Sequence, residues 1–257
     1  MNDRRAELAS NLAAVEDRIT RACAAADRKR EEVTLIVVTK TYPASDVRIL
    51  SELGVRHVAE NRDQEAGAKA SDCADLPLSW HFVGQLQTNK VRSVVSYADV
   101  VQSVDRPRLV TALSKEAVRS GRELDCLVQV ALDADFGEAA TGVGGGEAGA
   151  AGGQGRTGAR GGVTPDGIEE LASLIDAAEG LRLGGLMTVA PLTGPYAGRQ
   201  LAAFQRLMEF STLVRAAHPA ANMVSAGMST DLEQAVAAGA THVRVGTAVL
   251  GVRPRLG

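Results

Sequence analysis

Leu8, Leu12, Val15 and Ile19 recur at steps of four, three and four, which places them on one face of a helix near the start of the chain. A β-branched run from Thr34 to Lys40 follows and stops at Tyr42-Pro43, the pattern of a strand closed by a turn. The rhythm then repeats. Further strands are predicted over 57–61, 80–84, 100–104, 126–132, 181–189, 222–227 and 242–250, with a stretch able to form a helix between each pair. The clearest of these stretches is 229–239. There Leu232, Ala235 and Val236 make an apolar face, Ser229 or Thr230 can cap the start, and Gly239 can end the helix in a left-handed turn.

Eight apolar strands alternating with helices imply parallel pairing with right-handed crossovers. An open doubly wound sheet is the rival arrangement. No GxGxxG follows the first strand, however, and eight repeats is the number that closes a barrel. The predicted fold is therefore a single (β/α)₈ barrel of the TIM type with an N-terminal helix, one domain over residues 1–257. One segment breaks the rhythm. Between Gly137 and Gly162, 12 of 26 residues are glycine and large apolar side chains are nearly absent, so the segment buries too little surface to offset its backbone entropy. It is predicted to be a disordered insertion in the loop after the fifth strand. An ordered phosphate-cradling loop is the alternative, but the lysine and Ser/Thr that a P-loop places after its last glycines are missing. The βα pattern resumes at Thr164-Pro165, a good helix start.

Composition narrows the function classes. The 257 residues are 45% hydrophobic with a formal net charge of −3, and no basic stripe offers to neutralise a nucleic-acid backbone. Cys23, Cys73 and Cys126 are far apart and form no CxxC pair, which suggests neither a zinc site nor a disulfide framework. The N-terminus lacks the apolar core of a signal peptide, and no run of 18 apolar residues is long enough to span a bilayer. A cytoplasmic location is expected by elimination.

In a barrel, chemistry gathers where strands end and βα loops begin. Ile36, Val38 and Lys40 share one face of the first strand, so if the two apolar residues fill the interior, Lys40 reaches the mouth. A lysine against apolar walls holds more neutral amine, which imine formation with an aldehyde requires. A solvated lysine at a strand end remains the competing reading of this feature alone. At the other end of the chain, Ser225 closes the seventh strand and Ser229 follows it. The eighth strand presents Arg244 and Gly246 on one face, with Thr247 next. Hydroxyls, backbone N–H groups at a glycine and a helix start are what a phosphate monoester prefers. Capping is the alternative role for Ser229, and a rim ion pair is the alternative for Arg244.

These residues fall within VTKTYPASDV (38–47), VAENRDQE (58–65), WHFVGQLQTNK (80–90), VQSVDR (101–106), GGLMTVAP (184–191) and SAGMSTDLEQAVAAGATHVRVGTAVLG (225–251). As an ordered set covering nearly the whole chain, they resemble the pyridoxal phosphate homeostasis protein family, whose fold is similar to the barrel domain of alanine racemase. The resemblance implies that Lys40 carries pyridoxal 5′-phosphate (PLP) as a Schiff base. It also implies that Ser225, Gly246 and Thr247 bind the phosphate, that Arg244 faces the pyridine nitrogen, and that Asn61 and Asn89 line the mouth. A helix cap is the alternative role for Asn61. His81 reads as structural, and Trp80 and Phe82 as packing residues. An arginine at the pyridine nitrogen leaves that nitrogen unprotonated, so the ring is a poorer electron sink than one held by aspartate.

The function so implied is reversible PLP binding, with buffering of the cofactor and delivery to apo PLP-dependent enzymes, and without robust turnover. A PLP-dependent racemase or decarboxylase is the second reading, and a phosphate-sugar barrel enzyme the third. Two-base racemisation needs a second acid/base, which the racemases take from a separate β-domain. This sequence stops seven residues beyond the eighth predicted strand, and none of Tyr42, Tyr97 and Tyr196 has a clear claim to that role. A monomer is expected. The chain departs from the family pattern in three places. Gln85 stands where proline is usual, which is expected to loosen a turn. SAGMS replaces SMGMS, and the glycine-rich insertion is not a general family feature.

Overall fold

A computed structural model of the protein describes residues 2–135 and 161–251. The segment expected to be disordered therefore lies outside the described residues except for Gly161 and Gly162, which are buried. The chain opens with α1 (Asn2–Ala25) and then alternates strands and helices. These are β1 (Thr34–Val38), α2 (Ala44–Glu52), β2 (His57–Glu60), α3 (Asp63–Asp72), β3 (Ser79–Phe82), α4 (Val91–Tyr97), β4 (Val100–Val104), α5 (Pro107–Ser120) and β5 (Leu124–Gln129). The series continues with α6 (Ile168–Asp176), β6 (Leu181–Met187), α7 (Gln200–Ala217), β7 (Met223–Ser225), α8 (Leu232–Ala238), β8 (His242–Val245) and α9 (Thr247–Leu250). All neighbouring strands pair in parallel, and β8 pairs with β1 to close the barrel. The predicted closed barrel and its N-terminal helix are both present.

Alternation along each strand divides the side chains between two environments. Val37, Val58, Val101, Val128, Val224, Val243 and Val245 face outward and pack against the helices in two apolar clusters. Leu8, Val15 and Ile19 of α1 join the cluster on the β1 side, together with Leu232 and Val236 of α8, as their spacing requires. The inner face differs. Ile36, Val100, Leu127 and Met187 give it some apolar filling, but His81, Gln102, Ser225 and Arg244 are also buried there. The three cysteines are buried and free.

Several boundaries depart from the sequence expectation: the fifth strand spans Leu124–Gln129 rather than 126–132, the sixth stops at Met187 and the seventh is only Met223–Ser225. The eighth strand ends at Val245 rather than at residue 250, because Gly246 (φ −112°, ψ −81°) leaves the extended conformation and α9 begins at Thr247. Val249 and Leu250 are then buried on the α1 side. Neither Ser229 nor Thr230 caps α8. Asp231 precedes it, with its carboxylate accepting the Met228 N–H at 2.6 Å, while Gly239 ends the helix at φ +112° as expected. Close strand packing appears at Gly185 of β6, where a Cβ would lie 2.0 Å from the Met223 carbonyl oxygen, so any side chain would part β6 from β7.

Candidate functional site

Lys40 lies two residues beyond β1, half-buried at the C-terminal end of the barrel. The backbone on either side of it is held firmly. Before it, Thr39 is fully buried, and its hydroxyl donates to Glu60 Oε1 at 2.7 Å. Lys69 of α3 donates from Nζ to the same carboxylate oxygen at 2.5 Å and to the Thr39 carbonyl at 2.8 Å. After it, Thr41 adopts φ +70°, a left-handed conformation that a β-branched residue rarely takes. Its N–H donates to Glu65 at 3.3 Å. Tyr42 is buried and donates from its hydroxyl to the Gly251 carbonyl at 2.8 Å, tying the turn to the end of α9. Burial pushes the Glu60 carboxyl up, and the Lys69 ammonium beside it pulls the other way.

Asn61 directly follows β2, on the same side of the barrel. Its Oδ1 is buried and accepts no hydrogen bond from the protein, and it does not cap α3, which Arg62 precedes. Gly84, just past β3, passes so close that a Cβ there would stand 2.2 Å from the Asn61 carbonyl oxygen. Asn89 lies exposed on the short helical turn at Thr88–Lys90, and no described hydrogen bond ties it to the other candidates.

Arg244 is 4% exposed, and no carboxylate among the described residues forms an ion pair with it. Its guanidinium instead donates to Ser225 Oγ at 2.6 Å and to the Thr188 carbonyl at 2.7 Å, at the ends of β7 and β6. Burial lowers its pKa to about 10, with Asp231 opposing, so it stays cationic at neutral pH. A rim ion pair is thereby excluded for this side chain. Ser225 in turn donates to Gln102 Oε1 at 2.7 Å, and Gln102 Nε2 donates to His81 Nδ1 at 2.9 Å. His81 Nε2 lies 3.1 Å from Nδ1 of His57. Desolvation, with His57 and Arg244 nearby, holds His81 well below the usual histidine range, so its ring is neutral. Gly246 and Thr247 follow directly beyond Arg244. Gly246 runs close against β1, with a Cβ placed only 3.2 Å from the Val38 carbonyl.

The mouth therefore combines an amine just after β1, a buried cation on β8 and an unsatisfied amide oxygen after β2, with a glycine-to-helix turn beside the first strand. A separate cavity of about 290 Å³ opens at the ends of β5 and β6 and is lined by none of the predicted site residues. No local sequence signal marks Gln102, Thr188, Glu60 or Lys69: nothing near Glu60 identifies it as the partner of Lys69, and a glutamine in a strand carries no signal of its own.

A closed barrel of eight parallel strands with an N-terminal helix has the fold of the alanine racemase barrel domain. The family model described as alanine racemase, N-terminal domain, matches residues 153–254. The chain is 41% identical over 267 residues, 98% of its length and 95% of the relative's, to a pyridoxal phosphate homeostasis protein of Mycobacterium bovis. It is a member of the pyridoxal phosphate homeostasis protein family. PipY of Synechococcus elongatus, solved with PLP bound, is 32% identical and superposes with a TM-score of 0.74 over 95% of this chain and 100% of that one. Alanine racemase from Corynebacterium glutamicum shares the fold at 15% identity, with a TM-score of 0.63 over 98% of this chain and 62% of the racemase.

Proposed function

We propose that this protein binds PLP reversibly as a Schiff base on Lys40, and that it buffers the cofactor and supports its delivery to apo PLP-dependent enzymes without robust turnover. The observation that carries this reading is Arg244, a buried guanidinium with no carboxylate ion pair among the described residues, on the strand hydrogen-bonded to β1, two residues beyond which lies Lys40. Cations so buried are ordinarily paired, and one that is not suits an electron-rich acceptor supplied from outside the chain. The names of the relatives and the PLP bound to PipY support the same reading.

The residues present fit the group. When bound, PLP supplies an aldehyde that condenses with an amine and a ring that draws electrons from it. Lys40 is the amine, held at the mouth by the anchored segments on either side of it. Ser225, Gly246 and Thr247 take the phosphate through hydroxyls and backbone N–H groups at the start of α9. Arg244 donates to the pyridine nitrogen and, being cationic, keeps that nitrogen unprotonated. The unsatisfied Asn61 Oδ1 and the amide of Asn89 line the opening.

The placement of the three tyrosines supports the low-turnover reading. The Tyr42 hydroxyl donates to Gly251, and the Tyr196 hydroxyl to Asp135 at 3.4 Å. The Tyr97 hydroxyl is buried, and desolvation moves it far above the ordinary phenol range. None of the three is placed to exchange a proton at neutral pH. No helix among the described residues is long and apolar enough to cross a membrane.

The test is colour. Stripped protein titrated with PLP should gain a visible band, and borohydride should fix the cofactor on the peptide that contains Lys40. Lys40→Ala should lose both responses. A colourless protein, or an equal band in Lys40→Ala, overturns the binding reading. Incubating the loaded protein with L-alanine tests the rest, since rapid formation of D-alanine would establish a racemase instead.

A further inference from the structure

Five polar residues inside the barrel form one continuous chain from its floor to its mouth. His57 starts β2 at the N-terminal end, half-buried, and meets His81 of β3. His81 meets Gln102 of β4, Gln102 meets Ser225 of β7, and Ser225 meets Arg244 of β8. The four links measure 3.1, 2.9, 2.7 and 2.6 Å, and all of these residues except His57 are buried.

Each link has a donor and an acceptor, so the chain has a direction. Arg244 donates to Ser225, and the one hydroxyl proton of Ser225 goes to Gln102. The amide of Gln102 then donates to His81 Nδ1, which leaves the His81 proton on Nε2, facing Nδ1 of His57. Run this way, Ser225 has no proton left for a ligand. A phosphate oxygen only accepts, so the phosphate role of Ser225 is incompatible with this direction.

The same atomic positions accommodate the chain in reverse. Half a turn of the Gln102 amide exchanges its oxygen and nitrogen. His57 Nδ1–H then donates to His81 Nε2, His81 Nδ1–H donates to Gln102 Oε1, and Gln102 Nε2–H donates to Ser225 Oγ. Arg244 still donates to Ser225, whose own proton is now released toward the mouth. Each imidazole carries one proton in both directions, so reversal takes up and releases none and only exchanges ring tautomers at His57 and His81. Desolvation keeps both rings neutral, as this requires. In the structure the Ser225 hydroxyl donates to Gln102, so the forward direction is the one adopted. An acceptor stronger than an amide carbonyl, such as a phosphate dianion, is what draws the proton away and favours the reverse.

We propose that the chain from His57 to Ser225 is a two-state polarity relay, forward without ligand and reversed when a phosphate monoester occupies the mouth, with His81 and Gln102 as its positioning residues. The proposal rests on the reading that PLP binds at Lys40 with its phosphate at Ser225.

The experiment reads the tautomer directly on the full chain. Protein labelled with ¹⁵N at its four histidines, stripped with hydroxylamine, is compared by long-range ¹H–¹⁵N correlation alone, with PLP and with pyridoxal. The His81 signals are assigned by replacing His57, His218 and His242 one at a time. The expected result is predominantly Nε2–H at His81 in the stripped protein and predominantly Nδ1–H with PLP. Pyridoxal, which lacks the phosphate, should leave the stripped-state tautomer. An unchanged tautomer in protein that has turned visibly yellow with PLP overturns the relay while leaving the binding reading intact. A reversal by pyridoxal as well also overturns it, because the phosphate would then not be the cause. Protein that stays colourless with PLP overturns the binding reading itself, and the relay with it.

Discussion

Lys69 and Glu60 meet at 2.5 Å directly behind the strand end that carries Lys40, with Lys69 7% exposed and Glu60 fully buried. The second carboxylate oxygen of Glu60 has no partner in the protein, so the ammonium and the Thr39 hydroxyl supply its compensation. Ion pairs of this kind contribute little relative to an apolar pair but are costly to break from one side.

Lys69→Met should accordingly destabilise the protein by about 3–5 kcal/mol, measured by urea unfolding at pH 7. Burial already raises the Glu60 pKa from 4.5, and without Lys69 it rises further. A carboxyl with a raised pKa binds its proton more tightly folded than unfolded, so stability falls as pH rises from about 4.5 through the folded value. Lys69→Met should therefore recover stability on acidification through that range. Lys69→Met with Glu60→Gln should be more stable than Lys69→Met at pH 7. Equal stability of the two would show that the carboxylate bears no cost there.

The buried histidines give the wild-type protein the opposite dependence. Burial, with His57 and Arg244 close by, lowers His242 to about 4, and His81 is lowered as well. Groups with depressed histidine pKa values bind protons preferentially in the unfolded chain, so stability is lost as pH falls from about 6.5 toward 4. The His242 share is about 3 kcal/mol at full protonation. Urea midpoints should drop between pH 7 and pH 5, and His242→Asn should flatten part of that slope. A midpoint independent of pH over this interval would contradict the burial of these rings.

Thr41→Gly tests the strain next to Lys40. Glycine adopts φ near +70° freely, whereas a β-branched side chain does not. Relief of the strain should outweigh the added flexibility of the unfolded chain and raise stability by about 0.5–1 kcal/mol in a thermal melt. A loss of more than that amount would show that the Thr41 side chain makes a contact worth more than its conformation costs.

Gly84→Ala tests the approach of β3 to Asn61. The new Cβ would lie 2.2 Å from the Asn61 carbonyl oxygen, a distance only backbone movement can relieve. Destabilisation of at least about 2 kcal/mol is expected, together with weaker PLP binding in a visible titration as Asn61 shifts. Unchanged affinity in a destabilised variant would remove Asn61 from the set of residues that line the opening.

Much of the barrel was legible in the chain. The β-branched runs and apolar helix faces are local patterns, and eight of them in alternation leave little choice of topology once parallel pairing is assumed. Lys40 was visible because it ends the first run on the same face as Ile36. Val249 and Leu250 continue the apolar run of the last strand, so the pattern alone extends that strand too far. Only the backbone at Gly246 shows that they belong to a helix packed on α1. Ser229 precedes the apolar face as a cap would, but Asp231 lies closer to the first helical residue and takes the loop N–H.

The sequence by itself determined the rhythm of elements, the position of Lys40 at a strand end and the motifs that mark the family. Tertiary structure alone decided which polar residues meet. Glu60 finds Lys69 because α3 folds back beside β2. His81 finds Gln102, and Gln102 finds Ser225 123 residues away, because closure turns the inner faces of β3, β4 and β7 toward one axis. The physical reason lies in the period of a strand. A polar residue at every second position looks the same in sequence whether that face meets water or the inside of a barrel, and only the pairing of β8 with β1 makes it an interior.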